Sequence, residues 1–222
     1  YSYITSIKSD SLLIEEYIEG DEIIVIGYVH NNTFYIFDIS DKILNAKPYF
    51  VDRIHILPSR YYTLYNEIQK LGQKITNTFR LQNTPLLMEC IISNNNIYLI
   101  EAACEFGGEY LADYAIPARL NINVFKSVVD AIVTGTFTPP QQSKFASVVK
   151  YIMGQKGKLV SYAIPKDKHL IYAEIFAKPG DTIQYPKNNH ERLGVIITKG
   201  KTIEKALQKA DTLLEDMHIV IE

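Results

Sequence analysis

Two acidic side chains set among apolar residues, Glu89 and Glu101, are where residue type and spacing point most plainly to chemistry. They lie in residues 86–105, where two apolar runs flank Ser93-Asn94-Asn95-Asn96. That cluster of turn formers makes the stretch read as strand, tight turn, strand. Folding it about Asn95 sets Glu89 opposite Glu101, and strand alternation gives them a shared face of Leu87, Ile91, Ile97 and Leu99. Like charges about 5 Å apart on an apolar face oppose folding. A compensating charge is therefore expected, and a hard divalent cation with oxygen ligands is the simplest one. A register one residue different, or a bulge, would instead place both acids in water.

The elements that must hold this hairpin follow from the rest of the chain. Residues 12–17 read as a strand that leads into Ile18-Glu19-Gly20-Asp21-Glu22. Residues 21–29 and 33–39 read as a second hairpin about Asn31-Asn32. Residues 40–55 read as irregular, with Lys42, Lys47 and Arg53 as loop charges or as cations facing phosphates. Ser59 is placed to cap a helix in which Tyr61, Leu64, Tyr65, Ile68, Leu71, Ile75 and Phe79 form a stripe. After the central hairpin comes Phe106-Gly107-Gly108-Glu109, a glycine turn. A helix then runs from about Val124, with Phe125, Val128, Val129 and Ile132 on one face and Gly135 as its stop. Residues 136–144, with two prolines among small polar residues, read as a linker. Strands are expected at 147–153, 158–164, 169–176 and 193–198, then a helix capped by Thr202 and a last strand at 218–222.

Composition narrows the function classes. The 222 residues carry a net charge of -2, without the basic excess of a nucleic-acid surface. No apolar run approaches the roughly 20 residues that span a bilayer, and no signal peptide opens the chain. Cys90 and Cys104 are too few for a disulfide framework or a zinc cluster and read as reduced thiols, which suits the cytoplasm. The chain begins Tyr-Ser-Tyr, so a longer parent protein is expected.

The order of these elements resembles the second half of an ATP-grasp ligase over residues 12–135. The tail from about 147 is similar to the β-rich C-terminal domain of the amino-acid-ligase and biotin-carboxylase-like branches. The resemblance implies an α+β fold: an ATP-grasp large lobe of antiparallel sheet and helices over residues 1–140, then a small β-rich domain with one helix over 141–222. Glu15-Glu16-Tyr17-Ile18-Glu19-Gly20-Asp21-Glu22 matches the family's interlobe segment. Glu15 and Glu16 then belong to the ATP-binding set. The backbone of Glu16 and Ile18 would read the adenine edge, Glu22 would accept from the ribose, and Ile91 would pack under the purine. Glu89 and Glu101 match the two magnesium-binding acids, which makes ATP and Mg2+ the implied cofactors.

The implied activity is that of the C-terminal portion of an ATP-dependent carboxylate–amine ligase. It would act through an acyl phosphate, with small-molecule carboxylate and amine substrates. Neither nucleic acid nor membrane is an expected partner, and self-association is left open. The chain departs from the family after the second acid. It reads Glu101-Ala102-Ala103-Cys104-Glu105 where the family has Glu-x-Asn-x-Arg or Glu-x-Ala-x-Arg. Ala103 offers no metal ligand, and Glu105 reverses the charge of the arginine that steadies the acyl phosphate. Lys42, Arg119 or Lys126 would have to replace that cation, or the substrate is cationic, or the site is impaired. Glu105, Gly107 and Gly108 are the expected substrate-side residues, the glycines because they allow close backbone approach. Two other readings stay open: a non-catalytic nucleotide-binding relative, and an unrelated α+β protein whose acids are surface residues.

Overall fold

The computed structural model describes residues 13–45 and 48–222. Eight antiparallel strands form one sheet in the order β5-β4-β1-β2-β3-β6-β10-β8. These are β1 (Asp21–His30), β2 (Thr33–Leu44), β3 (Asp52–Leu57), β4 (Thr84–Ser93), β5 (Asn96–Ala103), β6 (Ala146–Ile152), β8 (Leu170–Ile175) and β10 (Gly194–Gly200). A small second sheet joins β7 (Gly157–Ser161) to β9 (Thr182–Ile183) and β11 (Val220–Ile221). The expected mixed α+β class with a large antiparallel sheet is what is found. Pairing of β3 with β6 carries that sheet past the expected linker, so the C-terminal strands extend the sheet of the first half.

Both faces of the sheet are partly covered. On one face α1 (Tyr65–Phe79) packs Ile68 and Ile75 against Ile23, Val25, Phe34, Ile36 and Met88. On the same face α4 (Ile203–Asp216) packs Ala206, Ala210 and Leu213 against Val148, Ile152 and Ile196. The other face is covered at one end by α2 (Ile116–Leu120) and α3 (Val124–Thr134). Leu111, Ile116, Val124 and Val128 meet Ile24, Ile26, Tyr28 and Phe37 there. The remainder of this face, at the Glu22 end of β1, holds the polar residues described below.

The two hairpins share one construction. Each turns through two asparagines with positive φ, Asn31-Asn32 at 47° and 66° and Asn94-Asn95 at 49° and 63°. A type I′ turn needs that conformation at both central residues, and asparagine tolerates it well. Each hairpin then carries a bulge, beside Ile26/Gly27 in the first and Glu89/Cys90 in the second.

Several sequence expectations need correction. Residues 13–19 form no strand, because no partner strand pairs with them, and Leu12 lies outside the described residues. Residues 40–55 are largely regular: β2 runs to Leu44 and β3 starts at Asp52, with Lys47 outside the described residues. Ser59 accepts a hydrogen bond from the Tyr61 N–H, yet a 3-10 turn at Tyr62–Leu64 intervenes and α1 begins at Tyr65. In α3, Val124, Val128 and Ala131 are the buried positions, while Phe125, Val129 and Ile132 are exposed. The capping expectations for α3 and α4 hold. Gly135 ends α3 with φ 73°, and the Thr202 side chain accepts from the Lys205 N–H.

Candidate active site

Register explains how the acids meet. Glu89 pairs with Glu101, as expected, although the two-residue turn by itself would misalign them. The bulge between Glu89 and Cys90 absorbs one residue of β5 and restores the pairing. The apolar face around the pair therefore differs from the expectation. Ile91 opposes Tyr98, whereas Ile97 opposes Ile92 and Leu99 opposes Cys90, so Ile97 and Leu99 point to the other side.

The charge that compensates these acids comes partly from the chain itself. Glu22 on β1 pairs across the ladder with Lys42 on β2, and Ile24 pairs with Glu89 on β4. Lys42 Nζ thus lies 2.9 Å from Glu89 Oε2 and 3.2 Å from Glu22 Oε2. It stands 3.6 Å from Asp52 Oδ1, with its side chain 11% exposed. Burial disfavours its charge, but Asp52, Glu89 and Glu22 outweigh that and raise its pKa above the usual lysine value.

Lys42 lines a cleft of about 650 Å³ together with Tyr17, Ile18, Glu22, Ile91 and Arg60. Of the expected nucleoside residues, Ile18, Glu22 and Ile91 come together here, while Glu15 and Glu16 are exposed just before the lining. Gly20 permits the approach of this segment to β4, since a Cβ there would fall 2.5 Å from Ile91 Cγ2 and Ile92 O.

A small adjoining cavity of about 120 Å³ gathers Glu89, Glu101, Glu105, Gly107, Gly108 and Glu109. Gly107 has φ 70°, and a Cβ on it would meet Leu87 at 2.6 Å, so the turn requires glycine. Gly108 faces open space. Of the three cations expected to replace the family arginine, Arg119 is unavailable. It is buried and bound to Asp38 at 2.8 Å and to Gln142. Lys126 pairs with Asp130 on the exposed side of α3. Of the three, Lys42 is the one that reaches Glu89.

Sequence reasoning did not single out the deeper polar cluster behind Lys42. Asp52, His55 and Glu109 each bring a ligand-type atom within 4.8 Å of the others. Arg192 Nη1 lies 2.9 Å from Glu109 Oε2, its guanidinium sits 3.5 Å over the Tyr151 ring, and the Tyr151 hydroxyl donates to Glu109. Asn189 Nδ2 donates to Asp52 Oδ2 at 2.7 Å. With Arg192 on Glu109, and with Asn189 and the shared Lys42 ammonium beside Asp52, this cluster suits a fixed polar wall better than a metal.

Burial would raise the Glu109 pKa, but the hydrogen bonds from the Arg192 guanidinium and the Tyr151 hydroxyl hold it well below the usual range. His55 Nε2 is 3.8 Å from Glu109, beyond hydrogen-bond reach, and both His55 ring nitrogens are buried and unpartnered. The signal that could have found this cluster is modest. Glu109 directly follows Gly-Gly, and Asp52 and His55 lie close together in one strand. Arg192 comes from a segment that no local pattern links to them.

Comparison with known proteins gives this geometry a context. The chain is similar to phosphoribosylglycinamide synthetase from Anaerococcus prevotii, with TM-score 0.81 at 19% identity over 93% of this chain and 55% of that one. It is similar to L-amino acid ligase from Bacillus licheniformis, with TM-score 0.76 at 17% identity over 93% and 53%. It also resembles the biotin carboxylase domain of Hydrogenobacter thermophilus 2-oxoglutarate carboxylase, with TM-score 0.70 at 17% identity over 93% and 48%. The chain thus spans about half the length of the solved structures it matches, and at these identities the likeness is one of fold. No curated protein sequence matches the chain significantly. Among family models, L-amino acid ligase C-terminal domain 2 matches residues 151–222. The ATP-grasp domain model matches residues 2–113, half of the chain, and on that match the chain belongs to the ATP-grasp family.

Proposed function

We propose that the chain is the C-terminal portion of an ATP-dependent carboxylate–amine ligase of the amino-acid-ligase type. The observation that carries this reading is the facing pair Glu89 and Glu101, one strand from a cleft lined by Ile18, Glu22, Ile91 and Lys42. In this reading the purine lies against Ile91, the backbone of Glu16 and Ile18 meets its edge, and Glu22 accepts from the ribose hydroxyls. Hard carboxylate oxygens on Glu89 and Glu101 suit Mg2+, which takes few protein ligands and keeps water and phosphate oxygens. When bound, the ion would neutralise phosphate charge.

The chain's residues would position the reactants and stabilise charge, with no protein nucleophile. The γ-phosphate passes to a substrate carboxylate, ADP leaves, and an amine displaces phosphate from the acyl phosphate to form the C–N bond. Glu105, Gly107 and Gly108 face this substrate side. The division near residue 140 belongs to the same proposal, with 141–222 as the C-terminal domain that supplies Arg192 to Glu109. Among the described residues no helix is long and apolar enough to cross a membrane. We place the protein in the cytoplasm, where ATP and amino-acid substrates meet, with small molecules as its partners.

The test is ADP release by the natural full-length protein with magnesium-ATP and a panel of amino acids, singly and in pairs. Release that depends on one pair, and that Glu101→Ala lowers by two orders of magnitude or more, is the expected result. Magnesium-ATP affinity unchanged in Glu101→Ala would remove the metal assignment. A second reading, a nucleotide-binding relative without turnover, is favoured by Ala103, which pairs with Leu87 and offers no ligand oxygen, and by Glu105 in place of a cation. Binding of magnesium-ATP with no release for any pair would select it.

A further inference from the structure

We infer that Lys42 is a resident counter-ion: its ammonium holds Glu89, Glu22 and Asp52 in the free protein, hinders a lone divalent cation, and moves to phosphate oxygens when metal and polyphosphate arrive together. The inference rests on the nucleotide reading above and adds to it a role that the family resemblance does not supply. Its basis is the convergence of four strands on one nitrogen. Glu22 comes from β1, Lys42 from β2, Asp52 from the start of β3 and Glu89 from β4. The three oxygens stand 2.9, 3.2 and 3.6 Å from Nζ.

Charge count decides what this arrangement does. One ammonium faces three carboxylates, and Glu101 adds a fourth beside Glu89, so the cluster is negative even with Lys42 in place. A divalent cation is attracted to it, but the Glu89 oxygen it needs already has an ammonium at hydrogen-bond distance. A bare cation must therefore either approach a like charge or push Lys42 off Glu89, its nearest partner, leaving it Glu22 and Asp52. Phosphates change that balance. They bring negative charge into the cleft that Lys42 itself lines, and the lysine's flexible stem lets the ammonium exchange carboxylate oxygens for phosphate oxygens. An arginine, with its planar fork, would make that exchange less readily. This also accounts for the cation missing at Glu105: positive charge for the transferred phosphate comes from β2 instead of from the turn after β5.

A purely structural role, with Lys42 only tying strands together, makes a different prediction for metal alone. Manganese(II) is titrated by electron paramagnetic resonance into the full-length protein, Lys42→Met, and Lys42→Met with Glu101→Gln, without nucleotide. The expected result is at least tenfold tighter Mn2+ binding by Lys42→Met than by wild type, with the gain removed by Glu101→Gln. ATP is then added. Wild type should bind Mn2+ at least tenfold more tightly with ATP than without it, and Lys42→Met should lose tenfold or more in Mn-ATP affinity. Lys42→Gln, which keeps a donor between the acids and removes the charge, is the second variant, and thermal melting with and without Mn2+ confirms that each is folded.

Equal Mn2+ affinity in wild type and both variants overturns the inference, as does a gain that survives Glu101→Gln. If the metal contrast holds and no protein binds ATP, the nucleotide reading falls and Lys42 remains a gate on the metal alone. If ATP binds and the metal contrast is absent, the nucleotide reading stands and the role of Lys42 does not.

Discussion

Replacing Arg192 by methionine tests the claim that the C-terminal residues hold the deep wall of the site. The guanidinium is the cation bound to Glu109 at 2.9 Å, and it lies 3.5 Å over Tyr151, with side-chain exposures of 9% for Arg192 and 23% for Glu109. Breaking a fully buried pair costs about 3–5 kcal/mol because a charge is left unpaired. Glu109 keeps the Tyr151 hydroxyl and some solvent, so the lower end applies, about 3 kcal/mol including the lost ring contact. In urea at a slope of about 2–3 kcal/mol/M, the midpoint falls by roughly 1 M. Glu109→Gln supplies the other corner of a double-mutant cycle, with an expected coupling of about 2 kcal/mol.

The sign with pH is fixed by the direction of the Glu109 shift. Its folded pKa lies below the ordinary value of 4.5, so its ionisation stabilises the fold above 4.5, and that stability is lost as pH falls toward the folded pKa. Arg192→Met raises the folded pKa, so the gap between wild type and variant is full at pH 7 and narrows in acid. A gap that stays constant from neutral to acid pH, or a coupling below about 0.5 kcal/mol, would refute the assignment.

Other expectations are simpler. Gly107→Ala forces a left-handed conformation on alanine and a contact with Leu87, and should cost about 1–2 kcal/mol in chemical denaturation. Gly108→Ala, facing open space, should stay within about 0.5 kcal/mol. Asn95→Ala places alanine at φ 63° in the turn and should lower stability by about 1 kcal/mol, read as a lower melting temperature. Burial of Asp38 raises its pKa to about 6 against the pull of Arg119, so the folded state holds this proton where the unfolded chain, near 3.8, has lost it. The stability difference between wild type and Asp38→Asn should therefore shrink as pH rises from 3.8 to about 6, measured by urea unfolding at several pH values.

Much of the architecture was legible because it is local. Paired asparagines marked both hairpins, and Gly135 and Thr202 mark helix ends through hydrogen bonds and backbone angles that involve only neighbours. Local pattern misleads where tertiary pairing decides. Residues 40–55 carry charges and broken alternation, yet β2 and β3 form because β1 and β6 supply the missing hydrogen bonds. Ile97 and Leu99 were assigned to the wrong face because a bulge shifts register by one residue, and one residue turns every side chain over.

The sequence by itself determined that Glu89 and Glu101 belong to one hairpin and face each other across it, while the structure leaves Glu101 exposed beside the half-buried Glu89. The resemblance to the ATP-grasp family added Ile18, Glu22 and Ile91 as the set expected to line a nucleotide cleft. Only the tertiary structure decided which cation the chain provides, because Lys42 on β2 reaches across β1 to Glu89 on β4, 47 residues away in sequence. It alone decided that Arg119 serves Asp38, and that Arg192 arrives from 83 residues away to hold Glu109. Electrostatic partners are chosen by distance in space, and distance in space is set by sheet order, which no local spacing of residues encodes.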